Sequence, residues 1–202
     1  MKKKFFIGTI IFIFLLILES QINLESNINN RGNMTIEDHS IPSCYIPIYK
    51  KAADEYSIPW KLLAAVHRVE TIFSTMEPLV SHAGAIGHFQ FMPRTWIGWQ
   101  YPGTSLGEIE DDIDITDVNL IQEFGGYGMD ASGNGIADPY NMIDAAFSAA
   151  KYLADHGASD NDLEAALFAY NHSQEYVEKV QHFHLLYEEG FAVLEFTTPC
   201  YE

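Results

Sequence analysis

The 202-residue sequence is poor in positive charge, in cysteine and in long apolar runs. Only 11 lysines and arginines stand against 28 acidic residues, a formal net charge of −17. Such a surface repels phosphate backbones and anionic lipid, which excludes nucleic acid as a partner. Cysteine is limited to Cys44 and Cys200, and neither lies in a motif that would make it a nucleophile. Joined in an oxidising compartment, the pair would tie the two ends of a domain together; the alternative is two independent thiols. His182 and His184 lie two apart on an expected helix and point to different faces, which is wrong for chelating zinc.

The one long apolar run, Phe5 to Leu18, follows Lys2, Lys3 and Lys4 and is followed by Glu19, Ser20 and Gln21. This is the plan of an export segment, and the run is shorter than the roughly 20 residues that span a bilayer comfortably. No small-x-small cleavage site follows it, so residues 1–20 read either as a signal peptide or as an N-terminal membrane anchor. Under both readings the lysines stay in the cytoplasm and the rest works outside, in the medium or at the outer face of the membrane and the wall. Residues 21–43, rich in Asn, Ser, Glu and Gln, read as a flexible spacer. Residues 44–202 are enough for one domain with one sizeable core.

Strand-like alternation is also lacking, and helical signals run nearly to the end of the chain. The spacing predicts helices over Pro47–Tyr56, Trp60–Thr71, Asn141–His156, Asp160–Tyr170 and Ser173–Glu189, with Gly157 and Gly190 as stops. Between Ile97 and Tyr140 lies a long Gly- and Asp-rich stretch with few regular signals, and long loops in compact domains are usually functional. The expected class is all-α.

The helix over Trp60–Thr71 holds the most informative geometry. At about 100° per residue Leu63, Val66 and Glu70 share one stripe, while Lys61 and Arg68 lie nearly opposite. A carboxyl on an apolar stripe is costly to ionise, so its pKa is expected to be raised. It is then a candidate proton donor near neutral pH, which an acid catalyst requires.

Three segments accompany it: AVHRVETIF around Glu70, SHAGAIGHFQFMPRTW from Ser81 to Trp96, and ALFAYNHS from Ala166 to Ser173. In this order they resemble the lytic transglycosylase domain of the lysozyme superfamily, nearest the membrane-bound lytic transglycosylase B type and its Gram-positive relatives, over about Tyr45 to Tyr187. The resemblance implies a lysozyme-like, two-lobed helical domain with a central cleft. It implies an enzyme, a glycan-strand lyase that cleaves the MurNAc–GlcNAc β-1,4 bond of peptidoglycan and leaves a 1,6-anhydro ring. Glu70 would act as general acid and then base, with Thr71, Ser81, Gln90, Tyr170 and Asn171 contacting substrate. His88 and Phe89 depart from the commoner small or apolar pair of the family. Trp96, Trp99 and Tyr101 follow closely, and one of them is expected to line a sugar subsite. No cofactor is required; the expected partners are peptidoglycan strands, the membrane only through an uncleaved N-terminal segment, and the chain is expected to be monomeric.

Two other readings stand beside it. A hydrolase of the goose-type lysozyme kind would share Glu70 and draw an acidic partner from the run Glu108–Asp117, and a wall-binding or assembly protein would not cut at all. A second candidate site lies in DASGNGIADPYN, where Asp130, Ser132 and Asn134, then Asp138 at the ninth place, follow the oxygen-ligand spacing of a calcium loop. Its twelfth place is Asn141 rather than Glu, and a Gly-rich turn capping the next helix is the alternative.

Overall fold

The computed structural model describes residues 36–109 and 113–195. The expected export segment, most of the expected spacer, Cys200 and the acidic residues Glu110, Asp111 and Asp112 lie outside them.

The described chain begins with a short strand, β1 (Ser40–Pro42), followed by helices α1 (Ile46–Tyr56) and α2 (Trp60–Thr71). The helix α3 (Pro93–Ile97) is one turn long, and α4 (Val118–Phe124) lies inside the expected irregular stretch. Then come α5 (Met142–Asp155), α6 (Leu163–Asn171), α7 (Gln174–Glu189) and strand β2 (Ala192–Leu194). Caps explain the starts of the later helices. Asn141 Oδ1 accepts from the N–H groups of Ile143 (2.9 Å) and Asp144 (3.3 Å), and Ser173 Oγ accepts from Tyr176 N–H (3.3 Å). Each cap satisfies donors that the first helical turn leaves unpaired.

Helix α2 is the hub. It packs against α7, α1 and α5, and every residue from Leu62 to Arg68 is buried. Burying each Leu or Val side chain contributes about 1.5–3 kcal/mol, so the apolar stripe that carries Glu70 is anchored before any polar contact is counted. Arg68, set opposite that stripe, is buried too. Its guanidinium donates to Asp38 (2.7 Å) and lies over the Phe183 ring (4.6 Å to the centroid), so its charge is paired rather than bare.

The all-α expectation is corrected by a two-stranded parallel sheet, β1 with β2, in which Ile41 pairs with Val193. Its strands are three residues long, too short for a period of two to show in sequence. Part of β1 also rests on a buried Ile41 in what reads as spacer. The pairing exists because the folded helices deliver both ends of the domain to one place: Ser43 Oγ donates to Glu195 Oε2 (2.7 Å) across 152 residues. Cys44, beside this sheet in sequence, is disulfide-bonded; its expected partner, Cys200, is outside the described residues. Among the described residues no helix is long and apolar enough to cross a membrane.

Candidate active site

Glu70 sits in the last turn of α2, immediately before a reversal in which Ile72, Phe73 and Ser74 are all left-handed (φ 50°, 56° and 63°). Three successive side-chain-bearing residues in that region are unusual. The buried Phe73 ring and the hydrogen bond from Ile72 N–H to the Arg68 carbonyl (2.9 Å) hold the turn. The reversal ends α2 with the Glu70 carboxyl half-buried.

Tyr176, in the first turn of α7, donates from its hydroxyl to Glu70 Oε1 (2.7 Å). Burial pushes the Glu70 pKa up to about 7, against the opposing effects of the Tyr176 hydrogen bond and the Lys179 charge. Both protonation states are therefore populated near neutral pH. Tyr170, near the end of α6, lies parallel to Tyr176, with ring centroids 6.2 Å apart and planes 2° from parallel. Its hydroxyl donates to the Phe89 carbonyl (2.8 Å). Burial, reinforced by the negative charge of Glu70, raises both phenols well above their ordinary pKa, so both stay neutral donors.

The segment from Leu79 to Phe91 folds on itself through bridges of Ile86 to Val80 and Phe91. Ser81 Oγ accepts from Ala85 N–H (3.0 Å) and so closes this loop locally. Gly87 (φ +76°) allows it to dock: a Cβ there would lie 2.0 Å from the Pro139 carbonyl oxygen. Gln90, also left-handed (φ 50°), donates from Nε2 to the carbonyls of Gly87 (2.8 Å) and Leu79 (3.3 Å). Thr71 is fully buried; its hydroxyl donates to the His88 carbonyl (3.0 Å) and accepts from Ser74 N–H (3.1 Å).

Of the residues expected to contact substrate, Tyr170 joins Glu70 through the parallel ring pair, and Asn171 is exposed beside it at the end of α6. Thr71 and Ser81 instead spend their hydroxyls on backbone contacts. Trp96 is core, with its indole N–H on the Ile115 carbonyl (3.1 Å), and Trp99 is exposed with the Arg94 guanidinium over it. Tyr176 gives no sign of its role in sequence because it falls on the ordinary apolar stripe of α7, and Lys179 none because it is one exposed lysine of that helix. The signal for Tyr176 is that a tyrosine hydroxyl buried on such a stripe requires a polar partner.

The Asp130–Asn141 segment is built differently. Asp130 accepts from the N–H groups of Gly133 (2.7 Å), Asn134 (3.0 Å) and Gly135 (2.8 Å), and from the Ser132 hydroxyl (3.4 Å). Asn134 Oδ1 accepts from Ile136 N–H (3.1 Å) and Asp138 Oδ1 from Tyr140 N–H (2.8 Å). The loop is closed onto α5 by the buried Asp144, whose two oxygens accept from Ser132 and Asp138 N–H (2.7 and 3.1 Å). Asn141, the twelfth place of the expected calcium loop, is the α5 cap. Among the described residues, no three His, Cys, Asp or Glu side chains are grouped to hold a metal ion.

No family model matches the chain, and no solved structure matches it. Among curated proteins it is similar to the L-Ala--D-Glu endopeptidase of Bacillus subtilis (strain 168), 28% identical over 142 residues, which make up 70% of this chain. The chain spans about 40% of the length of that relative. The relative is a peptidase, and this overturns the expected membership of the lytic transglycosylases, and with it the glycan-strand lyase activity and the 1,6-anhydro product. The expected lysozyme-like, two-lobed fold likewise finds no solved counterpart. The physical reason is that a carboxyl with a pKa near 7 on an apolar helix suits proton transfer to many kinds of bond and does not select glycan over peptide.

Proposed function

We propose that this chain is a peptidoglycan hydrolase acting outside the cytoplasmic membrane, and that it opens an amide bond of the wall peptide with Glu70 as the proton-transferring group. The carrying observation is the Glu70 carboxyl, titrating at about 7 against a hydroxyl donor in the Tyr170–Tyr176 pair. The name of the Bacillus subtilis relative supports the L-Ala–D-Glu linkage as the bond.

Amide hydrolysis needs a base to take a proton from water as it attacks the carbonyl carbon, and an acid to hand a proton to the departing amine. A single carboxyl near pKa 7 serves both in turn. Ionised, it accepts the water proton; protonated, it returns a proton to the amine nitrogen as the C–N bond breaks. The neutral Tyr176 hydroxyl holds the carboxyl in one orientation, and the exposed Asn171 amide would orient the substrate's own amides.

The test is product analysis on purified peptidoglycan. New L-Ala carboxyl and D-Glu amino termini, identified by mass spectrometry and absent with Glu70→Gln, are expected. New reducing ends or anhydro ends without new amino termini would overturn the peptide reading.

A further inference from the structure

His67, one turn before Glu70, is fully buried and belongs to a chain of polar contacts that proton transfer at Glu70 does not itself use. Tyr49 Oη lies 2.6 Å from His67 Nδ1, His67 Nε2 lies 2.7 Å from Ser74 Oγ, Ser74 Oγ lies 2.6 Å from His88 Nδ1, and His88 Nε2 lies 2.8 Å from the Tyr140 carbonyl oxygen. The last contact sets the direction of all the others. A carbonyl oxygen only accepts, so His88 carries a proton on Nε2. With a neutral ring its Nδ1 is then an acceptor, and the Ser74 hydroxyl donates to it. Having given up its one proton, Ser74 Oγ accepts from His67 Nε2–H, and His67 Nδ1 accepts from the Tyr49 hydroxyl. Tyr45, whose side chain also bonds Ser74, fits the second acceptor position of that oxygen.

The reverse direction would require protons on both nitrogens of His88, a buried cation 6.0 Å from the His67 ring. Burial opposes that charge.

The chain links four segments: α1 through Tyr49, α2 through His67, the left-handed reversal that directly follows Glu70 and Thr71 through Ser74, and the loop leading to Gln90 through His88. Ser74 N–H and the His88 carbonyl are joined again through the Thr71 hydroxyl. We propose that His67, Ser74 and His88 are positioning residues for Glu70: two neutral Nε2–H imidazoles and one serine hydroxyl clamp the reversal Ile72–Ser74 to the Gln90 loop and set the carboxyl against Tyr176. This rests on Glu70 being the proton-transferring group, but its test needs no substrate.

Imidazole 15N spectra of the full chain near neutral pH, assigned with His67→Gln and His88→Gln, should show both rings protonated at Nε2 and bare at Nδ1. A cationic ring or an Nδ1–H tautomer at either would overturn the proposal. The Glu70 carboxyl is then titrated by 13C NMR in Ser74→Ala and in Ser74→Gly. Glycine suits the positive φ and still removes the hydroxyl, so it separates backbone strain from the hydrogen-bond chain. Both variants loosen the carboxyl from the Tyr176 donor that favours its ionised form, so both should raise the Glu70 midpoint above about 7. An unchanged or lowered midpoint in both, or a rise in the alanine variant alone, would refute positioning by the hydroxyl chain. Intact tautomers together with a wall digest lacking new termini would instead sink only the proposed activity.

Discussion

Glu70 and Asp130 carry the same functional group, and the fold displaces their pKa values in opposite directions. Around Glu70, burial is opposed by the Tyr176 hydroxyl donor and the Lys179 charge, and burial wins. Around Asp130, desolvation also raises the pKa, but the N–H groups of Gly135, Asn134 and Gly133 and the Ser132 hydroxyl together outweigh it, and the carboxyl is lowered. The difference is one of donor supply. A tight loop rich in glycine turns several backbone N–H groups onto one carboxylate, whereas a helix end packed under tyrosine rings offers Glu70 a single hydroxyl. The first arrangement builds a structural anion and the second a group ready to exchange a proton.

Removing Glu70, the proposed proton-transferring group, should have the largest effect. Glu70→Gln is expected to lower peptidoglycan cleavage by about 10²–10⁴-fold, the usual contribution of a positioned acid–base group, measured as release of new amino termini. The same substitution should stabilise the fold above neutrality. The folded carboxyl titrates at about 7 against 4.5 for the ordinary group, so its favourable contribution is complete below the lower value and lost as pH rises through the higher. Glutamine cannot ionise, and a gain on the order of 3 kcal/mol at about pH 8 that disappears at about pH 4 is expected from chemical denaturation. Equal stabilisation at both pH values would remove the contrast with Asp130.

An intermediate effect is expected from Tyr176→Phe, which keeps the ring and deletes the donor. That donor favours the ionised carboxyl, so the Glu70 midpoint should rise by about 0.5–1 pH unit, read by carboxyl 13C NMR. A fall would mean that water admitted by the lost hydroxyl matters more than the hydrogen bond. The smallest effect should come from Asp130→Asn. A lowered carboxyl contributes stability that is present above its ordinary value and lost as pH falls through its folded value. The variant should therefore melt slightly lower near neutral pH and coincide with the parent in strong acid, by calorimetry. A neutral result at every pH would show that the loop's donors have no net effect on stability.

How much of this was legible in sequence depended on the range of the interaction. The helix Trp60–Thr71 was legible because Pro59 and the apolar period act locally, and the raised pKa of Glu70 followed from its neighbours on one stripe. Asn141 was legible as an oxygen-bearing residue at a loop end, but that it caps α5 depends on where the helix begins. Tyr176 was not legible, since its distance from Glu70 in sequence carries no sign that the hydroxyl returns to the carboxyl. His67 and His88 read as two histidines among eight; Ser74 joins them only because the chain turns left-handed after α2.

By itself the sequence determined the acidic composition, five of the helical segments, and the placement of one carboxyl on an apolar stripe, because each follows from composition or from contacts a few residues apart. The parallel pairing of β1 with β2, the meeting of Glu70 with Tyr176, and the one-way hydrogen-bond chain through Ser74 were decided by tertiary structure. They join residues whose proximity exists only after α1, α2, α5 and α7 have packed, and no local propensity encodes a contact that the whole core must first create.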